Sequence, residues 1–358
     1  MAKTRVLVVE DSMTVRKRLI EVLSADPGLE VVGEAEDGKA GIELCEALRP
    51  DVVTLDMMLP IMTGLAATEY IMAYCPTPIL IVSASTNRGE LFRTYEALAA
   101  GAVDVLEKPL GNEPDGDWER RLVSSVKLIA RIKVITHPRA RLKLSAKAVV
   151  PPAPIEPRNP GDRPRAIAIG ASTGGPGAVR DVFRALPTDF PLPILLVIHI
   201  GTLFATALAE WLDGQSHLRV AYAKDGDRLP PEGEGRVLMA PPDRHLVLQG
   251  GRLRLTQDPE RHSCRPSVDA LFESVARELG SSAAACLLTG MGRDGAEGLL
   301  AVRRAGGRTL AQDEASSVVF GMPREAIALG AAEQVVPLAG VAGSIAAWVR
   351  AADTGRRP

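Results

Sequence analysis

The sequence has few cysteines and few aromatic residues, and its charges nearly cancel. Of its 358 residues, 4% are aromatic and four are cysteines, at positions 45, 75, 264 and 286. These cysteines form no Cys-x-x-Cys pair, which argues against zinc and against a disulfide framework and favours a reducing cytoplasm. The formal net charge of -2 gives no general attraction to nucleic acid or to an anionic membrane.

The chain also lacks a long uninterrupted apolar run. The best candidate for a membrane span, Leu192 to Leu212, is broken by a histidine, a glycine and a glutamate, so a strand, a turn and an amphipathic helix explain it better. Met1 to Val9 reaches two acidic residues too soon for a signal peptide and predicts a first strand. We therefore expect a soluble cytoplasmic protein without direct membrane insertion.

Length and apolar content are sufficient for two domains. Hydrophobic residues make up 46% of the chain and charged residues 24%, as is typical of soluble globular proteins. A proline-rich segment, Pro138 to Pro164, predicts a semi-rigid linker. We expect domains at residues 1–125 and 164–350, with a helix end and the linker at residues 126–163.

In the first domain, four apolar runs end at polar residues. The pairs are residues 6–9 with Glu10 and Asp11, 51–55 with Asp56, 79–82 with Ser83, and 103–107 with Lys108. Helix-like stretches between them, Ser12 to Leu23 and Gly38 to Leu48, predict a doubly wound parallel sheet. The three carboxylates at one sheet edge would repel one another unless a hard cation lay among them, and Mg²⁺ suits carboxylate and phosphate oxygens.

This arrangement resembles the response-regulator receiver domain over roughly residues 3 to 125, a family with a flavodoxin-like five-stranded parallel sheet. The resemblance implies that Asp56 accepts a phosphoryl group from a sensor histidine kinase. It also implies two sets of binding residues. They are Glu10, Asp11, Asp56 and the backbone carbonyl of Met58 for Mg²⁺, and Ser83 and Lys108 for the phosphoryl oxygens. Val105 stands where many receivers carry an aromatic switch residue, so signalling by a ring flip is not expected.

The second domain opens with an apolar strand, residues 166–171, that runs into Ser172, Thr173 and two glycines. Two further apolar runs end at His199 and in a glycine-rich turn that carries Asp294. In a parallel sheet these strand ends lie along one edge, where open α/β folds place their sites. A serine nucleophile needs a histidine to take its proton and a carboxylate to orient that histidine, so the pattern favours a serine hydrolase over a structural turn. No Gly-Lys-Ser/Thr follows, which argues against a P-loop.

Five motifs in this domain together resemble the catalytic domain of the chemotaxis protein-glutamate methylesterases. They are residues 170–175, 265–269, 288–295, 311–317 and 321–326. They follow the family's order and cover most of residues 164 to 350. The resemblance implies a doubly wound, mainly parallel α/β domain that needs no cofactor for its esterase chemistry.

The same resemblance implies a reaction and its residues. A triad of Ser172, His199 and Asp294 would hydrolyse glutamate methyl esters on the cytoplasmic helices of chemoreceptors and release methanol, and the family can also deamidate glutamines. The backbone N–H of Met291, supported by Thr173, would bind the oxyanion. Until Asp56 is phosphorylated, the receiver would inhibit the esterase by blocking receptor entry.

Two departures from the family pattern surround the histidine. His199 lies between two isoleucines, and Cys264 stands where some members have a histidine, which leaves His262 two positions earlier. We expect His217 and His245 to be surface or structural residues, and no metal in this domain. Two other functions stay open: a phosphorylation-controlled binding module without catalysis, and a transcriptional regulator, although no helix-turn-helix pattern follows residue 164.

Overall fold

The structure is a computed structural model that describes residues 2–84, 87–109, 116–132, 134 and 163–350. The chain divides into two compact units, residues 1–147 and 148–358. Apart from residues 163 and 164, the predicted linker lies outside the described residues, and the predicted domain boundaries stay predictions.

The first unit is a five-stranded parallel sheet with the order β2-β1-β3-β4-β5. The strands are β1 (Thr4–Val9), β2 (Leu29–Ala35), β3 (Val52–Leu55), β4 (Ile79–Ser83) and β5 (Asp104–Glu107). The helices are α1 (Met13–Ala25), α2 (Gly38–Leu48), α3 (Gly64–Tyr74), α4 (Arg88–Ala100) and α5 (Asp117–Ile129). Helix α1 packs on α5, whereas α2, α3 and α4 pack in succession. This is the flavodoxin-like order, and it confirms the predicted fold.

Local sequence explains where the first helices begin. The Ser12 side chain caps α1 by accepting a hydrogen bond from the Val15 N–H, and the Asp37 side chain caps α2 by accepting one from the Ala40 N–H. Such side chains satisfy backbone donors that have no partner inside the helix. Both predicted helices are confirmed, and α2 has the predicted bounds.

The second unit contains a seven-stranded parallel sheet with the order β14-β13-β12-β6-β7-β9-β8 and a separate antiparallel hairpin, β10-β11. The strands are β6 (Ala166–Ala171), β7 (Ile194–Ile198), β8 (Arg219–Tyr222), β9 (Arg236–Met239), β10 (His245–Gln249), β11 (Arg252–Thr256), β12 (Ala283–Leu287), β13 (Arg308–Gln312) and β14 (Gln334–Val336). The helices are α6 (Gly175–Ala185), α7 (Thr202–Ala205), α8 (Leu208–Gln215), α9 (Val268–Leu279), α10 (Ala296–Arg304), α11 (Met322–Ala328) and α12 (Leu338–Arg350). The predicted parallel α/β fold is confirmed.

Three neighbouring strands bring the predicted site residues to one edge of this sheet. Strand β6 lies between β12 and β7, with Gly170 paired to Leu287 and Ala171 paired to Ile198. All three run in parallel, so the segments that follow them leave the sheet side by side. The predicted common edge for these three strand ends is confirmed.

The segment Leu192 to Leu212 contains strand β7, a turn and the helices α7 and α8. Within the part of the chain that the structure describes, no helix combines the length and apolar character needed to cross a membrane. The prediction of a strand followed by helical structure is confirmed for this segment.

Candidate active site

Ser172 directly follows the central strand β6 and lies in a tight turn. Its N–H donates to the Thr289 carbonyl at 3.0 Å, and its carbonyl accepts from the Gly175 N–H at 2.6 Å. Gly174 has a φ of 76°, and a Cβ on it would lie 2.6 Å from the Val318 side chain. The turn therefore requires glycine at position 174, both for its left-handed backbone and for lack of space.

The loop that carries Met291 passes directly beside Ser172. A Cβ on Gly290 would lie 2.8 Å from Ser172 Cβ and 3.1 Å from Ser172 N, so only glycine allows this approach. On its other side the loop packs on Gly321, where a Cβ would lie 2.7 Å from the Gly290 carbonyl. The structure thus brings the predicted oxyanion segment against the predicted nucleophile.

Thr289 joins the loops around Ser172. Its hydroxyl donates to the Thr173 carbonyl at 3.0 Å and accepts from the Val319 N–H at 2.9 Å. Its own N–H donates to the side-chain oxygen of Gln312 at 2.8 Å. Thr173 and Gln312 are themselves buried. These bonds fix the backbone on which Ser172 and Thr173 lie.

His199 and Asp294 form a close pair at the same sheet edge. The backbone N–H of His199 donates to the carbonyl of Ala171, the residue before Ser172, at 3.0 Å. His199 Nε2 lies 2.9 Å from Asp294 Oδ2, although its N–H does not point along this line. The contact leaves Nδ1 as the imidazole nitrogen available to another group.

The Asp294 carboxylate lies at the N-terminus of helix α9. It accepts hydrogen bonds from the Ser267 hydroxyl at 2.7 Å, the Val268 N–H at 2.7 Å and the Asp269 N–H at 3.1 Å. The first turn of a helix offers unpaired N–H groups and a positive dipole end, both of which stabilise an anion. The helix therefore holds this carboxylate in place as a charged group.

Burial and ion pairing oppose one another in this pair. Burial alone would raise the pKa of Asp294, but its contacts with His199, Ser267 and Val268 hold the pKa below its usual range. Burial alone would lower the pKa of His199, but the contacts with Asp294 and Cys264 raise it to about 9. The arrangement therefore stabilises an imidazolium beside a carboxylate, as serine hydrolysis requires.

Cys264 and His262 take different places around the pair. Cys264 Sγ lies 3.7 Å from His199 Nδ1, whereas His262 Nε2 lies 3.2 Å from Asp269 Oδ2. Arg293 Nε donates to His262 Nδ1 at 3.1 Å. The structure therefore brings the cysteine, and not His262, next to the histidine of the predicted triad.

His245 and His217 fit their predicted roles as structural or surface residues. His245 is buried, its Nδ1 accepts from the Ser267 N–H at 3.1 Å, and its Nε2 lies 3.2 Å from the Pro259 carbonyl. His217 is exposed on the surface. His245 thus supports the start of helix α9, a structural role that its turn context did not reveal.

In the first unit, the predicted acidic cluster surrounds a lysine. Lys108 Nζ lies 2.8 Å from Glu10 Oε2 and 3.0 Å from Asp56 Oδ2. Asp56 follows β3, and its Oδ1 accepts the Met57 N–H at 2.8 Å. Glu10 is completely buried and Asp56 is 3% exposed, whereas Asp11 is exposed.

The donors in this cluster suit a hard divalent cation. Carboxylate oxygens of Glu10, Asp11 and Asp56 lie within 4.8 Å of one another. Glu10 Oε2 is buried, and no described residue gives it a well-aligned hydrogen bond, despite the nearby Lys108. Burial raises the pKa of Glu10 to about 7, with Asp56 adding to the rise and Lys108 opposing it. A bound Mg²⁺ would compensate this buried carboxylate.

The remaining predicted phosphoryl-site residues lie around the same edge. Ser83 is buried at the end of β4, and its carbonyl accepts the Lys108 N–H at 3.0 Å. The Met58 side chain is exposed, with its sulfur 3.5 Å from Arg93 Nη1. The roles of Ser83 and Lys108 in binding the phosphoryl group stay predictions, as does the role of the Met58 carbonyl in binding Mg²⁺.

The sequence interpretation missed several residues that hold the esterase site. Ser267, Gln312 and Gly290 lie inside the five motifs, but the motifs alone do not show what these residues do. A serine before an apolar, helix-like run is a capping signal that could have identified Ser267. The contact of Gln312 with Thr289 depends on the approach of two strands and has no local signal.

Comparisons with known proteins agree with both halves of this description. Residues 6–114 match the response regulator receiver domain family, and residues 167–345 match the CheB methylesterase family. A protein named protein-glutamate methylesterase/protein-glutamine glutaminase 2, from Anaeromyxobacter dehalogenans, is 46% identical over 334 residues, which are 93% of this chain and 94% of that protein. The protein-glutamate methylesterase/protein-glutamine glutaminase 4 of Myxococcus xanthus is 44% identical over 349 residues, which are 97% of each chain. Protein 2 from Pseudomonas aeruginosa is 41% identical over 357 residues, 98% of this chain and 99% of that one. This chain therefore belongs to the protein-glutamate methylesterase/protein-glutamine glutaminase family, in which a receiver domain precedes a CheB methylesterase domain.

Proposed function

We propose that this protein hydrolyses glutamate methyl esters on chemoreceptors, with Ser172, His199 and Asp294 as the catalytic residues. The observation that supports this most directly is the 2.9 Å contact of His199 with an Asp294 held at the start of helix α9. Ser172 leaves the neighbouring strand in a glycine-dependent turn beside the Met291 loop. A nucleophile, a base and an anchored carboxylate at one sheet edge are the parts that acyl transfer from an ester needs.

In the first half of the reaction, Ser172 Oγ attacks the ester carbonyl carbon while His199 Nδ1 takes the hydroxyl proton. Asp294 stabilises the imidazolium that forms. When the tetrahedral intermediate collapses, the C–O bond to the methoxy group breaks, and His199 returns the proton so that methanol leaves. Ser172 then carries the glutamyl group as an ester.

In the second half, water attacks the acyl-enzyme and His199 takes its proton. Collapse breaks the bond to Ser172 Oγ, the serine recovers its proton, and a free glutamate side chain is released. With a glutamine side chain as substrate, the same steps release ammonia in place of methanol. We include this deamidation in the proposed function because one acyl-enzyme serves both leaving groups.

We assign the oxyanion site to the backbone N–H of Met291, with Thr173 supporting the loop around it. The close approach of Gly290 to Ser172 supports this assignment. A donor of this kind contributes about 3 kcal/mol to stabilisation of the transition state.

We further propose that phosphorylation of Asp56 controls the esterase. Glu10, Asp11, Asp56 and the Met58 carbonyl would hold Mg²⁺, which would neutralise charge on the incoming phosphoryl group, and Ser83 and Lys108 would bind its oxygens. A sensor histidine kinase in the cytoplasm would supply the phosphoryl group. The unphosphorylated receiver domain would block access for the receptor, a bias that needs only a few kcal/mol between two states.

The decisive experiment measures methanol release from methylated chemoreceptor fragments. The full chain and its Ser172→Ala variant are assayed with Mg²⁺, each with and without a small phosphodonor, and Asp56→Asn is assayed in parallel. Release that requires Ser172, and a rise with phosphodonor that requires Asp56, are the expected results. If the folded wild-type chain releases no methanol from a receptor that a known methylesterase demethylates, the protein is a binding module.

A further inference from the structure

Cys264 and His199 present a sulfur and a nitrogen to one another at a distance that suits a bridging metal ion. The separation of Cys264 Sγ and His199 Nδ1 is 3.7 Å. Zinc bonds of about 2.3 Å to sulfur and about 2.0 Å to nitrogen, at a tetrahedral angle, place the two ligand atoms about 3.5 Å apart. The two side chains therefore need little movement to bind one ion between them.

The opposite edge of the imidazole has the partner that metal-binding histidines usually have. His199 Nε2 lies 2.9 Å from the buried carboxylate of Asp294. A carboxylate at the second nitrogen orients the ring and strengthens the first nitrogen as a ligand. Donor atoms of His199, Cys264 and Asp294 all lie within 4.8 Å of one another. Asp294 already accepts three hydrogen bonds, from Ser267 and the first two residues of helix α9, so it is better suited to hold the histidine than to bind the ion directly.

We propose that Cys264 and His199 bind a zinc-class divalent ion through Sγ and Nδ1, and that this ion inhibits the esterase reversibly. Water molecules would complete the coordination. Binding requires loss of the thiol proton and occupies the imidazole nitrogen that otherwise takes the proton of Ser172. The inhibition rests on the proposed role of His199, whereas binding of the ion does not.

The ligands of this site are softer than those of the Mg²⁺ site expected in the receiver domain, so the two sites would select different ions. A thiolate and an imidazole favour zinc-class ions, whereas the carboxylate cluster around Asp56 favours magnesium. The sequence predicts no metal in this domain, because its cysteines have no paired spacing. The donors come from the end of β7 and from a loop 65 residues further along, so only the fold brings them together.

The first test is titration of the reduced full-length chain with Cd²⁺, whose bond to a thiolate gives an ultraviolet charge-transfer band. We expect a band from wild type that is clearly weaker in the Cys264→Ser variant and unchanged in Cys75→Ser at the same Cd²⁺ concentration. Cys75→Ser is the matched control, because Cys45 and Cys75 lie 3.9 Å apart in the first unit and offer the competing thiol site. A band of equal size in wild type and Cys264→Ser overturns the proposal.

The second test avoids any substitution that could disturb folding. In the wild-type chain, Zn²⁺ should slow alkylation of Cys264 by iodoacetamide by about tenfold or more, measured by mass spectrometry of the Cys264 peptide. An alkylation rate that stays unchanged in a large molar excess of Zn²⁺ over protein contradicts the site. Both tests detect binding without the esterase reaction, so their outcome does not depend on the proposed activity.

The third test concerns inhibition. With Mg²⁺ kept in excess, Zn²⁺ should inhibit methanol release by wild type, and the concentration for half inhibition should rise about tenfold or more in Cys264→Ser, each protein being compared with its own rate without Zn²⁺. Removal of Zn²⁺ by a chelator should restore the rate. Equal sensitivity of the two proteins would contradict the inhibitory role.

Discussion

Two buried carboxyl groups, Glu10 in the receiver domain and Asp294 in the methylesterase domain, have pKa values that are shifted in opposite directions. Glu10 is completely buried and Asp294 is 2% exposed. Burial raises the pKa of Glu10 to about 7, even though Lys108 opposes the rise. Burial alone would also raise the pKa of Asp294, but its hydrogen-bond partners hold the pKa below its usual range.

The number and direction of donors explain this difference. Asp294 accepts three well-formed hydrogen bonds from Ser267, Val268 and Asp269 at the start of a helix. Glu10 Oε1 accepts the Ser12 N–H at 3.2 Å and a Lys108 N–H at 2.9 Å, whereas its Oε2 has no aligned donor among the residues that the structure describes. Hydrogen bonds to the charged form lower a carboxyl pKa, whereas desolvation raises it.

The comparison distinguishes a permanent charge from a conditional one. In the proposed reaction, Asp294 remains an anion throughout the acyl transfer, since its charge stabilises an imidazolium. In the proposed magnesium site, a bound cation would stabilise the charge of Glu10. Under the proposed function, a buried carboxyl group thus serves catalysis in one domain and cation binding in the other.

The largest expected effect comes from removing the permanent charge. Asp294→Asn keeps the size of the side chain but cannot stabilise the imidazolium, and it favours the wrong histidine tautomer, so we expect kcat for methanol release to fall about 10⁴-fold. Phosphorylation of Asp56 in the same variant should match wild type and is the internal control. A loss smaller than about tenfold in a folded variant would mean that Asp294 does not orient His199.

The pH dependence of the esterase should report the raised pKa of His199. This histidine must be neutral to accept the Ser172 proton, and Asp294 and Cys264 raise its pKa to about 9 against the effect of burial. We therefore expect kcat/KM to increase with pH, by roughly 100-fold between about pH 6 and about pH 8, because the neutral fraction grows about tenfold per pH unit below the pKa. The rate of Asp294→Asn should level off at a lower pH. A wild-type profile already flat above about pH 7 would contradict the raised pKa.

The strands that carry the site could be predicted from sequence because they are buried on both faces. Such strands are continuous apolar runs, as in β3 and β7, each of which is buried throughout. The edge strand β2 was not predicted, since its central residues are partly or fully exposed and show no such run. Strand β14 lies at the edge of the second sheet and was missed for the same reason.

The site itself was predictable only at the level of residue types at strand ends. Ser172, His199 and Asp294 follow β6, β7 and β12, and strand pairing brings these ends together. The contacts that set their chemistry join distant segments. Ser267 reaches Asp294 across 27 positions and Cys264 reaches His199 across 65, and neither distance follows from a local pattern.

A smaller effect is expected at Glu10, the carboxyl group of the proposed cation site. The Mg²⁺ affinity of the receiver domain should weaken as the pH falls below about 7, because Glu10 then takes up a proton that the cation must displace. Glu10→Gln should lower the affinity about tenfold and reduce this pH dependence, as measured by titration calorimetry. Glu43→Gln is the matched control, since the Glu43 side chain is 67% exposed. If Glu10→Gln binds Mg²⁺ as tightly as wild type, Glu10 does not contribute to the cation site.

The smallest effects are expected from replacing two helix-capping serines, one in each domain. Ser12 accepts one hydrogen bond, at 3.5 Å from the Val15 N–H, in an exposed position. Ser267 is completely buried and both accepts from the Ala270 N–H and donates to Asp294. Ser12→Ala should therefore cost about 0.5–1 kcal/mol in the free energy of unfolding of its domain, and Ser267→Ala about 1–3 kcal/mol, because the latter leaves a buried charge short of a donor. Urea denaturation of the full chain measures both, and equal costs would show that the donor to Asp294 adds nothing to an ordinary cap.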